Sequence, residues 1–274
     1  MSRQSPLITV MVKAARAAGR GLARDFGEVE NLQVSKKGPG DFVTAADHRA
    51  EQVIYNELSR ARPGYGFVME ERGIVEGTDK TNRFIVDPLD GTLNFMHGIP
   101  HFSVSIGHER EGQLHAGVVF DVIRGDIYWA EKGHGAWLEN WRLKVATRIK
   151  LSQAILATGT PFIGHAEERH ELFGVELSTL TRATTGIRRF GSAALDLAFV
   201  AAGKFDGFWE RQLKPWDIAA GVVLVREAGG IVEDIDGGDL LNTGNIIAAN
   251  PSLTPKLKAK ILEAKKAHQA EKPS

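Results

Sequence analysis

Asp87 and Asp90 follow the apolar run Phe84-Ile85-Val86 with only Pro88 and Leu89 between them. The run reads as a short strand. Pro88 has no N–H to give a ladder and biases Asp87 toward extended backbone, so the strand is expected to stop there and the chain to fold back. Both carboxylates then point at one place, with the Leu89 carbonyl between them. Carboxylates and a backbone carbonyl are the ligands that hard divalent cations such as Mg²⁺ prefer. Gly91 and Thr92 could open a helix whose free N–H groups face an anion. The chemistry on offer is a metal meeting a phosphate. The plainer reading is that Asp-Pro and Asp-Gly are ordinary turn dipeptides and that the acids cap a helix.

Other acids stand at comparable places. Tyr65 to Met69 reads as a strand that delivers Glu70 and Glu71 at its end. Adjacent acids point apart, so one of the two faces the site. Asp47 is expected at the N-cap of a helix from Asp47 to Arg60, and Asp217 is expected to open the apolar helix Ile218 to Glu227 that Gly229-Gly230 terminate. Acids collected in one cleft repel one another unless cations neutralise them, so convergence of Asp47, Glu70, Asp87, Asp90 and Asp217 would imply a multinuclear Mg²⁺ site. The histidines show no H-E-x-x-H or paired-ligand spacing, which argues against a zinc hydrolase, and no G-x-S-x-G elbow supports a serine nucleophile.

The elements that must position these groups divide into two styles. A first helix spans about Pro6 to Asp25, with Leu7, Ile8, Met11, Val12, Ala15, Ala18 and Leu22 at helical spacing. The Met1 to Arg24 stretch is basic and free of acids, as organellar transit peptides are, but its apolar run is interrupted by Thr9 and Lys13, and a folded helix is the better reading. Ser35 to Asp41 reads as a flexible polar loop. Beyond the central motif, 102–107, 113–120 and 126–130 alternate like antiparallel strands, and Lys132 to Trp137 reads as a hairpin turn rather than a phosphate loop. From Lys144 onward, strands and helices alternate. The expected division is 1–143, an α+β half with the metal motif, and 144–274, an α/β half completing the site.

Composition narrows the partners. The chain has 274 residues, with 34 basic against 34 acidic side chains, so no global charge points to nucleic acid or to a membrane surface. It has no cysteine, which excludes disulfides, thiolate metal sites and a cysteine nucleophile and fits a reducing cytoplasm. No apolar run approaches a membrane span.

Four blocks carry a resemblance. Phe84-Ile85-Val86-Asp87-Pro88-Leu89-Asp90-Gly91-Thr92-Leu93-Asn94-Phe95, Lys214-Pro215-Trp216-Asp217-Ile218-Ala219-Ala220-Gly221, Asp41-Phe42-Val43-Thr44-Ala45-Ala46-Asp47 and Glu70-Glu71 resemble the signature blocks of the inositol monophosphatase family. The segment Arg188-Arg189-Phe190-Gly191-Ser192-Ala193-Ala194-Leu195-Asp196-Leu197-Ala198 resembles its bacterial extragenic-suppressor branch. The resemblance implies a layered αβαβα sandwich of the inositol monophosphatase and fructose-1,6-bisphosphatase type, usually homodimeric. It also implies Mg²⁺-dependent hydrolysis of phosphate monoesters, inhibited by Li⁺, with two or three ions.

By that resemblance Glu70, Asp87 and the Leu89 carbonyl hold a first metal, and Asp90 bridges to a second that Asp217 completes. Thr92 with Asp47 orients the attacking water, Gly91 and Thr92 N–H groups bind phosphate, and Glu210 and Ala194 face the alcohol. Lys36 matches a mobile-loop lysine. Departures are Leu93, where Thr or Ser is usual, a loose match over Thr158 to Phe162, and Arg211, a bulky charge beside the alcohol pocket that suggests a second anionic or polar group on the substrate. Inositol 1-phosphate is the leading substrate; histidinol phosphate, fructose 1,6-bisphosphate and 3′-phosphoadenosine 5′-phosphate are rivals. A role in a transcription or ribosomal-RNA-processing complex is the alternative of another class.

Overall fold

The computed structural model describes residues 4–27, 34–38 and 41–270, with backbone alone for 34–38 and 41–43. Helix α1 (Pro6–Phe26) starts where Ser5 Oγ accepts the Ile8 N–H at 3.1 Å and Pro6 occupies the first turn. Strands β1 (Val34–Gly38) and β2 (Asp41–Thr44) pair antiparallel where a loop was expected. The Lys36 side chain lies outside the described residues. Helix α2 (Ala45–Ala61) follows.

The chain then lays down β3 (Tyr65–Met69), β4 (Gly73–Val75), β5 (Asp79–Asp90), the one-turn α3 (Thr92–Met96), β6 (Ser103–Arg110), β7 (Gln113–Asp121), β8 (Asp126–Glu131), β9 (Gly135–Leu138) and β10 (Trp141–Arg142). These strands form an eight-stranded sheet in the order β10-β9-β8-β7-β6-β5-β3-β4. Only the β3–β5 pair within it is parallel.

A second sheet is built from β11 (Ile155–Thr158), α4 (Glu167–Ala183), β12 (Gly186–Arg188), α5 (Ala193–Ala201), β13 (Gly207–Glu210), α6 (Pro215–Glu227), β14 (Ile231–Asp234), the short α7 (Leu240–Thr243), β15 (Ile246–Ala249) and α8 (Thr254–Ala270). Its order is β12-β11-β13-β15-β14, parallel around β11 and antiparallel around β15.

Side-chain alternation assigns the layers. Val118, Phe120, Ile127 and Trp129 face α1 and α2 on one side of the first sheet, while Val119, Tyr128 and Ala130 face α5 and α6 on the other. In the second sheet Ala157, Phe208 and Ala248 turn toward α5 and α6, while Leu156, Trp209 and Ile247 meet Leu180, Leu257 and Ile261 of α4 and α8. The result is helix, sheet, helix, sheet, helix, as the resemblance implies.

Helices α5 and α6 are covered on both sides, and residues 218–225 of α6 are all buried, which is why this helix is apolar all round. It also lies close to the first sheet. A Cβ on Gly107 would come within 2.7 Å of the Ala219 Cβ, and one on Gly117 within 2.8 Å of the Ala220 Cα. Glycines at these strand positions let helix backbone rest on sheet backbone.

Candidate active site

The strand β5 does not end at Pro88. It pairs with β6 through Asp87 against Ser105 and resumes with Asp90 against Ser103, so three steps on one strand match two on the other. Side chains three apart on a regular strand point to opposite faces; the extra residue of this bulge resets the parity and puts both acids on one side. Pro88 sits in the bulge, where no ladder hydrogen bond is asked of it.

Each of these acids is anchored through one oxygen. Asp87 Oδ1 accepts the Leu89 N–H at 2.9 Å. Asp90 Oδ2 accepts the Ser192 hydroxyl at 2.5 Å, the Ala194 N–H at 2.8 Å and the Ser103 hydroxyl at 3.4 Å. Asp217 Oδ2 accepts the Lys214 N–H at 2.7 Å. The second oxygen of each is left for a common cleft of about 330 Å³, which Glu70, Leu89, Gly91, Thr92 and Glu210 also line.

The acids oppose one another there. Burial, then repulsion from Glu70, Asp90 and Asp217, holds the Asp87 carboxyl well above the usual carboxylate range. Burial pushes Asp90 up to about 6 in spite of the hydrogen bonds from Ser192 and Ala194. Asp217 is raised well above its ordinary value by burial and by Asp90. Among the described residues, no three His, Cys, Asp or Glu side chains are already drawn into a ligating cluster. The donor set nevertheless fits a hard cation: uncommitted carboxylate oxygens and a carbonyl, destabilised for want of positive charge.

Asp47 is not the N-cap of α2. Thr44 is, and Asp47, three residues on, completes a reciprocal capping box by accepting the Thr44 N–H at 2.8 Å. Asp217 likewise accepts the Lys214 N–H at the start of α6, with Pro215 in the first turn, but lysine has no side-chain acceptor to reciprocate and the Asp217 N–H goes to the Lys214 carbonyl. Both helices therefore begin earlier than the position of the acid suggests. Asp47 is buried behind Thr92, whose Oγ1 lies 3.2 Å from Asp47 Oδ1 and 3.0 Å from the Leu89 carbonyl. Burial raises the Asp47 pKa. Of the paired acids, Glu70 lines the cleft and Glu71 does not; the Glu71 N–H donates to Glu51 Oε2 at 2.8 Å, and its carboxylate is among the charges that raise Asp47.

The far wall comes from the second sheet. Glu210 ends β13, and burial, followed by repulsion from Asp90, pushes its carboxyl up to about 8. Gly159 lies directly beneath it: any Cβ there would occupy the space of the Glu210 carboxyl group.

Two expectations are corrected. Ala194 is fully buried and spends its N–H on Asp90; its neighbour Ala193 lines the cleft instead. Arg211 turns away from the cleft, donating through Nε to Glu176 Oε1 and through Nη1 to Asp236 Oδ2, both at 2.8 Å. A buried acid on α4 out-competes the cleft for this guanidinium. Arg169 and Arg189 supply the cations of this wall. Arg169 stands in no sequence pattern that marks it; Arg189 and Ser192 lie in the block from Arg188 that resembles the suppressor branch, which assigns them no role, and Ser192 is the N-cap of α5.

Residues 3–270 match the Inositol monophosphatase family. The chain belongs to that family. An inositol-1-monophosphatase of Mesorhizobium japonicum is 57% identical over 248 residues, covering 90% of this chain and 92% of the relative. The Nus factor SuhB of Escherichia coli is 44% identical, with coverage of 90% and 92%. Among solved structures, the extragenic suppressor protein SuhB of Bartonella henselae superposes with a TM-score of 0.90 at 51% identity, covering 94% of this chain and 98% of that one. Family membership and the layered fold thus agree with the block pattern read from the sequence.

Proposed function

We propose that this member of a phosphatase family hydrolyses phosphate monoesters with Mg²⁺, inositol 1-phosphate being the leading substrate. The observation that carries the reading is the cleft in which Glu70, Asp87, Asp90 and Asp217 face one another, with no cation of the described residues among the main influences on the three aspartates. Glu70, Asp87, the Leu89 carbonyl, Asp90 and Asp217 would hold the metal, two or three ions in all. When bound, Mg²⁺ supplies charge neutralisation of the phosphoryl oxygens and a more acidic water.

The chain's own groups do the rest. Asp47, fixed by the Thr44 N–H, orients the Thr92 hydroxyl, whose lone pairs are then placed to accept from a water at the cleft floor. Thr92 has one proton and two acceptors in reach; it can pass that proton to Asp47 Oδ1 while taking one from the water, so that the hydroxyl stays neutral, Asp47 becomes protonated and the water is left as the nucleophile. Gly91 and Thr92 face the phosphate position with backbone N–H groups, as electrostatic stabilisation of developing charge requires. Glu210 and Ala193 face the alcohol.

The test is Mg²⁺-dependent phosphate release from inositol 1-phosphate, histidinol phosphate, fructose 1,6-bisphosphate and 3′-phosphoadenosine 5′-phosphate, with and without Li⁺. Release that is metal-independent on all four rejects the reading. Li⁺ sensitivity, a homodimer and a cytoplasmic location belong to the same proposal, and ultracentrifugation checks the second. Among the described residues no helix is long and apolar enough to cross a membrane. The similarity to a relative named a Nus factor supports a second role, contact with a transcription complex; co-purification of RNA polymerase with an inactive Asp87→Asn variant tests it.

A further inference from the structure

Asp196 takes no part in the chemistry above, yet it lies on the same cleft. It stands in the first turn of α5, one turn beyond the Ser192 that anchors Asp90, and its backbone N–H returns to the Ser192 carbonyl at 3.0 Å. The residue is 1% exposed and lines the cleft, and its Oδ1 has no hydrogen-bond partner among the described residues. A buried carboxyl without a partner is costly, and native structures reserve such groups for a purpose. Leucine or alanine would fill the position in an otherwise wholly apolar helix at no such cost.

A second orphan stands on the same cleft. Among the described residues Arg169 Nε has no partner, while its Nη2 donates to the Arg211 carbonyl at 2.7 Å and holds the guanidinium in place. The wall thus offers a carboxyl group and a guanidinium N–H that no described residue satisfies, with Glu210 on the same side. A hydroxyl group both donates and accepts, so a polyhydroxy alcohol answers this mixture where an apolar alcohol does not.

We propose that Asp196 is a specificity-determining residue that hydrogen-bonds a hydroxyl of the substrate's alcohol portion, beside Glu210. This rests on the phosphomonoesterase reading and deepens it. A site built to hydrogen-bond a hydroxyl discriminates strongly against an analogue lacking one, because its polar groups are then left unpaired.

The experiment compares kcat/KM for inositol 1-phosphate with that for p-nitrophenyl phosphate, an aryl ester with no hydroxyl groups, in wild type, Asp196→Ala and Asp196→Asn. The ratio of the two falls at least about ten-fold in Asp196→Ala, carried by KM for the inositol ester. It stays within about three-fold in Asp196→Asn, whose amide still donates and accepts. An unchanged ratio in Asp196→Ala overturns the proposal, since a purely structural or water-filled position lowers both reactions together. A wild type that hydrolyses neither ester overturns the hydrolase reading alone. Calorimetric affinities for inositol 1-phosphate and for inorganic phosphate then decide the Asp196 contact by the same ratio.

Discussion

On one wall of the cleft, Asp87, Asp90 and Thr92 come from a single stretch at the end of β5; on the other, Gly159, Asp196 and Glu210 come from three separate elements. The walls also differ in how their charge is met. Among the described residues no lysine or arginine is a main influence on Asp87, Asp90 or Asp217, whereas Arg189 and Arg169 act on Glu210, and Arg189 on Asp196. Within those residues the first wall is short of positive charge. The second carries its own cations and is built to hydrogen-bond.

The largest effect that can break this contrast is at Asp87. Asp87→Asn should lower kcat/KM more than about 10³-fold by removing a ligand for transition-state charge, while circular dichroism shows the fold retained. Without Mg²⁺ the variant should melt above wild type, because one repelling charge is gone. A rate close to wild type would remove the metal assignment.

Arg211→Ala tests whether the second wall truly excludes that side chain. Removing it strands the Glu176 carboxylate, which is 1% exposed, so the protein should lose about 3 kcal/mol in urea denaturation. Preference between inositol 1-phosphate and fructose 1,6-bisphosphate should stay as it is. A changed preference would return Arg211 to the cleft.

A smaller effect is expected at Gly159. An added methyl displaces the Glu210 carboxyl rather than the backbone, so Gly159→Ala should lower kcat/KM for inositol 1-phosphate about ten-fold through misplacement. The melting temperature should move by no more than about 2 °C. Loss of stability without loss of selectivity would show that Glu210 tolerates the move.

The gentlest probe is pH. Asp90 at about 6 and Glu210 at about 8 both lie above the unfolded carboxylate value of about 4. Between these limits the folded chain holds more protons than the unfolded one, so metal-free stability falls as pH rises through the window. Mg²⁺ should remove the share of that slope that comes from the first wall and leave the share of Glu210. Urea midpoints across the window, with and without Mg²⁺, check this; loss of the whole slope would mean that the walls are not distinct.

The same contrast explains what could be read from the chain. The block from Phe84 to Phe95 was legible because its ligands are neighbours, and periodicity placed α1 within a residue at its end. The bulge was not legible: proline predicts a stop, and only pairing with β6 shows the strand resuming. Asp47 and Asp217 were found but assigned to the wrong cap position, since an acid can serve a helix start from the cap or from its third residue. On the second wall the sequence points to Glu210, Ala194, Arg211 and the loop from Thr158 to Phe162, and of these Ala194 and Arg211 do not line the cleft. Arg169 and Asp196 reach the cleft because α4 and α5 pack as they do, and Arg211 leaves it because Glu176 lies within reach; such choices are settled by tertiary contact.

The seat of α6 on glycine-bearing strands bears on how molecules come and go. With Ala219 against Gly107, Ala220 against Gly117 and Leu197 pressed onto Gly221, the helix that carries Asp217 has no slack against either neighbour. Packing this close around α6 opposes a hinge between the sheets as the way to admit a phosphate ester or discharge its products. That traffic falls to the rim, where Phe162 and Ile163 stand exposed beside the opening.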